Sequence, residues 1–114
     1  MARPVYSTNF IAVAGSFNTH VKYTVDDSHV AVVRDCDIYF NSLNPEFAFY
    51  LSDAITIGTF FQKQITLAEV GAPTWVQWQG RQVFGPGTSF QIYFEDSLNV
   101  GGDARVSGYL LTYP

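Results

Sequence analysis

Apolar and polar residues alternate with a period of two along nearly the whole chain. From Val30 to Phe40 the even positions are Val30, Val32, Arg34, Cys36, Ile38 and Phe40, apolar except for Arg34, while Asp35, Asp37 and Asn41 fall on odd ones. Alternation of this length predicts a strand with one buried face. Ser89–Glu95 repeats it, with Phe90, Ile92 and Phe94 opposite Gln91, Tyr93 and Glu95. Val21, Tyr23 and Val25 form a third such face, Phe47, Phe49 and Leu51 a fourth, and Phe61, Ile65 and Leu67 a fifth. Tyr6–Ala14, Thr74–Phe84 and Arg105–Tyr113 complete the set.

Turn chemistry separates these segments. Asp26-Asp27-Ser28, Asn41-Ser42-Leu43-Asn44-Pro45, Gly71-Ala72-Pro73, Gly85-Pro86-Gly87 and Asn99-Val100-Gly101-Gly102-Asp103 each interrupt the alternation. About eight short antiparallel strands at near-regular spacing predict an all-β domain, a β-sandwich or jelly roll. Helix is expected at most as a single turn, around Asn44–Phe47 or Leu67–Val70. No repeat or linker divides residues 1–114, which read as one domain. Residues 1–5, or more widely Ala2 to Ser7, read as an arm that orders on assembly. The final strand is apolar on both sides, Tyr109, Leu111 and Tyr113 on one face and Val106 and Leu110 on the other. Such a strand is either central and covered on both faces or meets a neighbouring subunit.

Composition narrows the function. Hydrophobic residues make up 47% of the 114 and aromatics 17%, while charged residues reach only 14%, against roughly 25% in an average globular chain. So few charges leave apolar surface for contacts. The net charge is −4, and Arg3, Lys22, Arg34, Lys63, Arg81 and Arg105 are scattered. No basic stripe for nucleic acid results. Cys36 stands alone, so neither an internal disulfide nor a Cys-x-x-Cys metal motif is available, in keeping with synthesis in a reducing cytoplasm. Neither a signal peptide nor an apolar run of membrane-spanning length is visible.

Candidate chemistry is sparse. A hydrolytic base would have to be His20 or His29, both at strand ends, and no Gly-x-Ser-x-Gly elbow accompanies them. Asp35 and Asp37 share a strand face about 7 Å apart. That pair suits a glycosidase or a calcium ion, or simply the polar face of a strand beside Arg34 or Arg81. Asp26-Asp27-Ser28 and Glu95-Asp96-Ser97 read as solvated turns without the spacing of a calcium loop. Cys36 reads as a small core residue. No cofactor, catalytic or metal-binding motif is apparent, and the chain is expected not to be an enzyme. Trp75 and Trp78, near Gln77, Gln79 and Arg81, can stack on sugar rings. Being three apart on a strand, they face opposite sides, one core and one outward, and an outward Trp serves a protein contact equally well.

Three stretches together carry a resemblance: Val30-Ala31-Val32-Val33-Arg34-Asp35-Cys36-Asp37-Ile38-Tyr39, Trp78-Gln79-Gly80-Arg81-Gln82-Val83-Phe84-Gly85-Pro86-Gly87, and Val106-Ser107-Gly108-Tyr109-Leu110-Leu111-Thr112. In this order they resemble small virion proteins of long-tailed bacteriophages of actinobacterial hosts. The resemblance implies a β-sandwich subunit, made in the host cytoplasm and located in the virion, with no enzymatic role. Such subunits are mostly minor tail proteins, and some decorate capsids. Other virion proteins and copies of itself, for instance as a trimer, are the implied partners. Trp75, Trp78, Arg81, Tyr109 and Tyr113 are the expected contact residues. A carbohydrate-binding module for a host glycan is the alternative on Trp75 and Trp78. Nucleic acid and membrane are not expected as partners.

Overall fold

The computed structural model describes residues 3–15, 20–43, 45–53, 58–95 and 102–112. Eight strands run through them: β1 (Arg3–Gly15), β2 (His20–Thr24), β3 (His29–Phe40), β4 (Ala48–Asp53), β5 (Thr59–Gln64), β6 (Thr74–Phe84), β7 (Ser89–Glu95) and β8 (Gly102–Thr112). They pair antiparallel into two four-stranded sheets, ordered β1-β8-β3-β6 and β2-β7-β4-β5. This connectivity is that of a double-sheet jelly roll. The expected β-sandwich is present, and its strand order is that of the jelly roll. The segment read as an arm falls partly in β1, where Arg3 pairs with Thr112.

Rings fill the space between the sheets. Phe40, Phe47, Phe49, Phe90 and Phe94 are fully buried. Phe40 stacks on Phe47 at 4.4 Å, and Phe94 lies 5.0 Å from Phe49 and 6.0 Å from Phe47. Burying each such ring contributes about 1.5–3 kcal/mol. Trp78 closes one flank by packing on Phe60 and Phe61 of β5, and Phe10 closes the other against Tyr23 of β2. Cys36 is buried among these groups as expected, and burial, helped by Asp37, pushes its thiol up to about 12.

β3 departs from the simple even–odd pattern. Ala31 and Val33 point into the core, and so do Cys36, Ile38 and Phe40. A register shift between Val33 and Asp35, against both β8 and β6, exchanges the faces at Arg34. Val30 and Val32 therefore lie outward, not on the face of Cys36. β1 shifts register beside it, between Asn9 and Ile11, which buries both Phe10 and Ile11. Between the two irregularities runs β8 at Gly108, paired with Thr8 on one side and Val33 on the other. A Cβ there would fall on the Val32 carbonyl. β8 is thus an internal strand, with Val106 and Leu110 facing the core.

The turns follow their residues. Gly85-Pro86-Gly87-Thr88 is a type II turn: Pro fits the second position, Gly87 takes φ +78° at the third, and the Thr88 N–H donates to the Gly85 carbonyl at 3.2 Å. Leu67 leaves the face of Phe61 and Ile65 and opens a 3-10 turn, Leu67–Glu69, where it is 89% exposed. The cause is local: the Thr66 N–H and hydroxyl both donate to Glu69 Oε1 at 2.9 Å, and Lys63 Nζ lies 2.9 Å from the same oxygen.

Two glycine substitutions separate close approach from mere flexibility. Gly108→Ala should lower stability by about 3 kcal/mol or more, because a backbone carbonyl occupies the methyl's place. Gly85→Ala meets nothing within 4 Å and should stay within about 1 kcal/mol. Urea unfolding of the two variants checks the contrast; equal midpoints would refute the close approach.

Candidate functional site

Side chains pointing away from the second sheet form an outer face across β1, β8, β3 and β6. The register sorts them into rows. At one end Trp75, Tyr39 and Asp103 lie side by side, and the next row holds Gln77, Asp37, Arg105 and Ala12. A middle row holds Gln79, Asp35, Ser107 and Asn9. Beyond the register shift come Val83, Val32 and Tyr109, then Val30 and Leu111. The face therefore has an aromatic–polar half and an aliphatic half, divided at the Gly108 seam.

In the aromatic–polar half a trough of about 710 Å³ crosses all four strands. Its floor is the backbone of Ile38, Val76 and Ala104, whose side chains do not project into it, and its walls are the first two rows. Trp75 is 77% exposed, and its ring lies 4.4 Å from that of Tyr39 at 43°. In the aliphatic half Val83 is 54% exposed, whereas Val32, between Val83 and Tyr109 in the register, is 1% exposed.

The expected contact residues fall in different places. Trp75 and Arg81 are exposed on β6, and Tyr109 is half-buried on the outer face of β8. Trp78 points inward, against Phe60 and Phe61, with Gly80 beneath its ring, where a Cβ would come within 2.5 Å of it. The two tryptophans thus face opposite sides, as their spacing implies. Tyr113 lies outside the described residues, as does Asp96-Ser97 of the second acidic turn. The structure brings Trp75 together with Tyr39, Asp37 and Asp103, which sequence reasoning did not group with it. Asp37 faces Gln77 and Arg105 across the register, rather than Arg34 or Arg81. Asp35 faces Gln79 and Ser107. Among the described residues, no group of three or more His, Cys, Asp and Glu is placed to hold a metal.

Ser28, His29 and Asp26 do meet, in the turn before β3. The Ser28 N–H and hydroxyl both donate to Asp26 Oδ1 at 2.8 Å, and His29 Nδ1 lies 2.8 Å from Oδ1 and 3.0 Å from Oδ2. A hydrolytic relay needs serine on one ring nitrogen and carboxylate on the other. Here Ser28 Oγ, at 3.0 Å, and the carboxylate both meet Nδ1. The cluster is an Asx turn held by its own side chains.

No family model matches the chain, and neither does any curated protein. Among solved structures it is similar to the VP2 subviral particle of infectious bursal disease virus, with TM-score 0.44 and 11% identity, over 98% of this chain and 33% of that one. The T13 particle of that virus gives TM-score 0.44 and 13% identity, over 98% and 31%. Its T=1 particles give 0.42 and 14%, over 98% and 32%. The chain spans about a third of the length of these chains. Likeness at this level identifies no function.

The Asp26 turn makes a prediction. The His29 hydrogen bond first, then those from the Ser28 side chain and backbone, hold the Asp26 carboxyl at about 2. Donors favour the carboxylate, so the contribution to stability is present above the ordinary aspartate value and is lost as pH falls through the lowered one. A carbon-detected NMR titration should find Asp26 titrating near that lowered value. His29→Ala and Ser28→Ala should each raise its midpoint, and no change in either variant would disprove the assignment.

Proposed function

We propose that the chain is a structural subunit of a virion, specifically of the tail of a long-tailed phage, acting through protein–protein contacts and performing no chemistry. The observation that carries this reading is the aliphatic half of the outer face. Val30, Val83, Tyr109 and Leu111 surround Val32, already covered by its own chain, on a surface that points away from the core. A neighbouring subunit laid over this row removes apolar area from water, at about 25 cal/mol per Å². The low charge content supports the same reading, since a surface with few charged groups opposes close packing least. The motif resemblance supplies the tail. The jelly roll is compatible with the role but does not select it, because the fold also carries lectin and cupin domains. Further copies of the chain in a closed symmetric ring, and other virion proteins, are the partners this surface suits.

Sedimentation of the purified protein should show a symmetric oligomer. Val83→Asp places a charge in the contact row and should return the protein to a monomer with its thermal midpoint little changed. Gold-labelled antibody should mark the tail of intact particles; label over the head would instead assign capsid decoration. A strict monomer that particles lacking the subunit fail to take up would sink the proposal.

A further inference from the structure

We propose that the trough in the aromatic–polar half is a binding site for a neutral saccharide, with one pyranose ring stacked on Trp75 and its hydroxyls reaching Asp37, Gln77 and Arg105. Three features of the trough argue for this ligand class. Its two rows of side chains lie about 6.8 Å apart along the strands, so beside the exposed Trp75 ring they present a polar surface about one pyranose ring across. Ala12 ends the second row with a small side chain and leaves that end open. The volume, about 710 Å³, falls within the range of small-ligand sites.

The second feature is the aromatic wall. Trp75 is 77% exposed near the start of an edge strand, and Tyr39 supports it from within the sheet. An indole face held this way offers a flat apolar surface to the C–H face of a sugar, while the rest of the site stays polar.

The third is the polar set. Asp37 and Asp103 only accept hydrogen bonds, Arg105 only donates, and Gln77 does both. A sugar hydroxyl both donates and accepts, so a polyol satisfies all of them. Two carboxylates beside one guanidinium leave the trough with a net negative charge. Phosphates, nucleic acid and acidic sugars are therefore disfavoured, and it is the mixed set of donors and acceptors that suits a neutral polyol. An extended peptide laid across the trough gains no main-chain hydrogen bonds from β3 and β8 at its centre, because both are paired on either side. The site lies apart from the aliphatic half, so the saccharide reading and the assembly reading stand or fall separately.

The two tryptophans allow a test with an internal control. Two-dimensional ¹H–¹⁵N spectra would follow both indole N–H peaks while methyl glycosides of glucose, galactose, mannose and N-acetylglucosamine are added. At least one glycoside should move the Trp75 peak with an affinity on the order of millimolar, and leave the Trp78 peak, packed against Phe60 and Phe61, in place. Asp37→Asn and Arg105→Ala should each weaken that response about threefold or more. With Trp75 replaced by Ala, the shifts at Gln77 and Arg105 backbone amides should vanish. The methyl glycoside of N-acetylneuraminic acid should bind more weakly than the best neutral sugar. No movement of the Trp75 peak at about 50 mM of any neutral glycoside, well above the expected affinity, would overturn the proposal. So would equal movement of both indoles, equal binding of the acidic sugar, or unchanged titrations in both polar variants.

Discussion

The close approach of β8 to β3 at Gly108 is the constraint on which the first sheet depends. The Val32 carbonyl occupies the space where a Cβ would sit. On either side the neighbouring strands slip register, β1 between Asn9 and Ile11 and β3 between Val33 and Asp35. Strand faces alternate with a period of two, so one extra residue exchanges them. In β3 this lets Ala31 and Val33 face inward before the slip and Cys36, Ile38 and Phe40 after it. A regular β3 would turn one of these two groups out to solvent. The glycine that normally weakens a strand interior is here the residue that allows the backbones to meet.

The outer face inherits the same exchange. Before the slip, the outward positions of β3 are Val30 and Val32, opposite Leu111, Tyr109 and Val83. After it they are Asp35, Asp37 and Tyr39, opposite Ser107, Arg105, Asp103, Gln77 and Trp75. One irregularity therefore sets both the continuity of the core and the change in surface chemistry from aliphatic to aromatic–polar. Stacked and tilted phenylalanines from both sheets fill the interior. Charged groups are left to turns and outer rows, where the Asp26 and Glu69 carboxylates organise their own loops.

Local features were legible in the sequence, and long-range ones were not. The alternation around Ser89–Glu95 and Thr74–Phe84 marks β7 and β6 to the residue, because both are regular over most of their length. The opposite facing of Trp75 and Trp78 follows from their spacing alone. The slip at Arg34 was hidden, since Val30, Ala31, Val32 and Val33 are all apolar and satisfy either face. Leu67 fitted two readings, the strand face of Phe61 and Ile65 and a single turn over Leu67–Val70, and the hydrogen bonds to Glu69 decide for the turn. The trough was beyond reach. Its walls come from four strands spread from Ala12 to Arg105, and only the sheet order places Tyr39 and Asp103 beside Trp75.

A jelly roll does not decide its own use, and function must be argued from what its faces present. Here both surfaces lie on one paired sheet, so neither needs to rearrange before it meets a ligand or a subunit. Their spacing is also fixed. Along β8, Tyr109 in the aliphatic half and Arg105 in the trough are four residues apart, about 13 Å. That exceeds the reach of one side chain, and the row of Gln79, Asp35 and Ser107 lies between them. A neighbour seated on Val83 and Tyr109 therefore leaves the trough open. The seam at Gly108 separates the two surfaces, and both are carried by one strand, β8, whose close approach to β3 any larger residue at that point would strain.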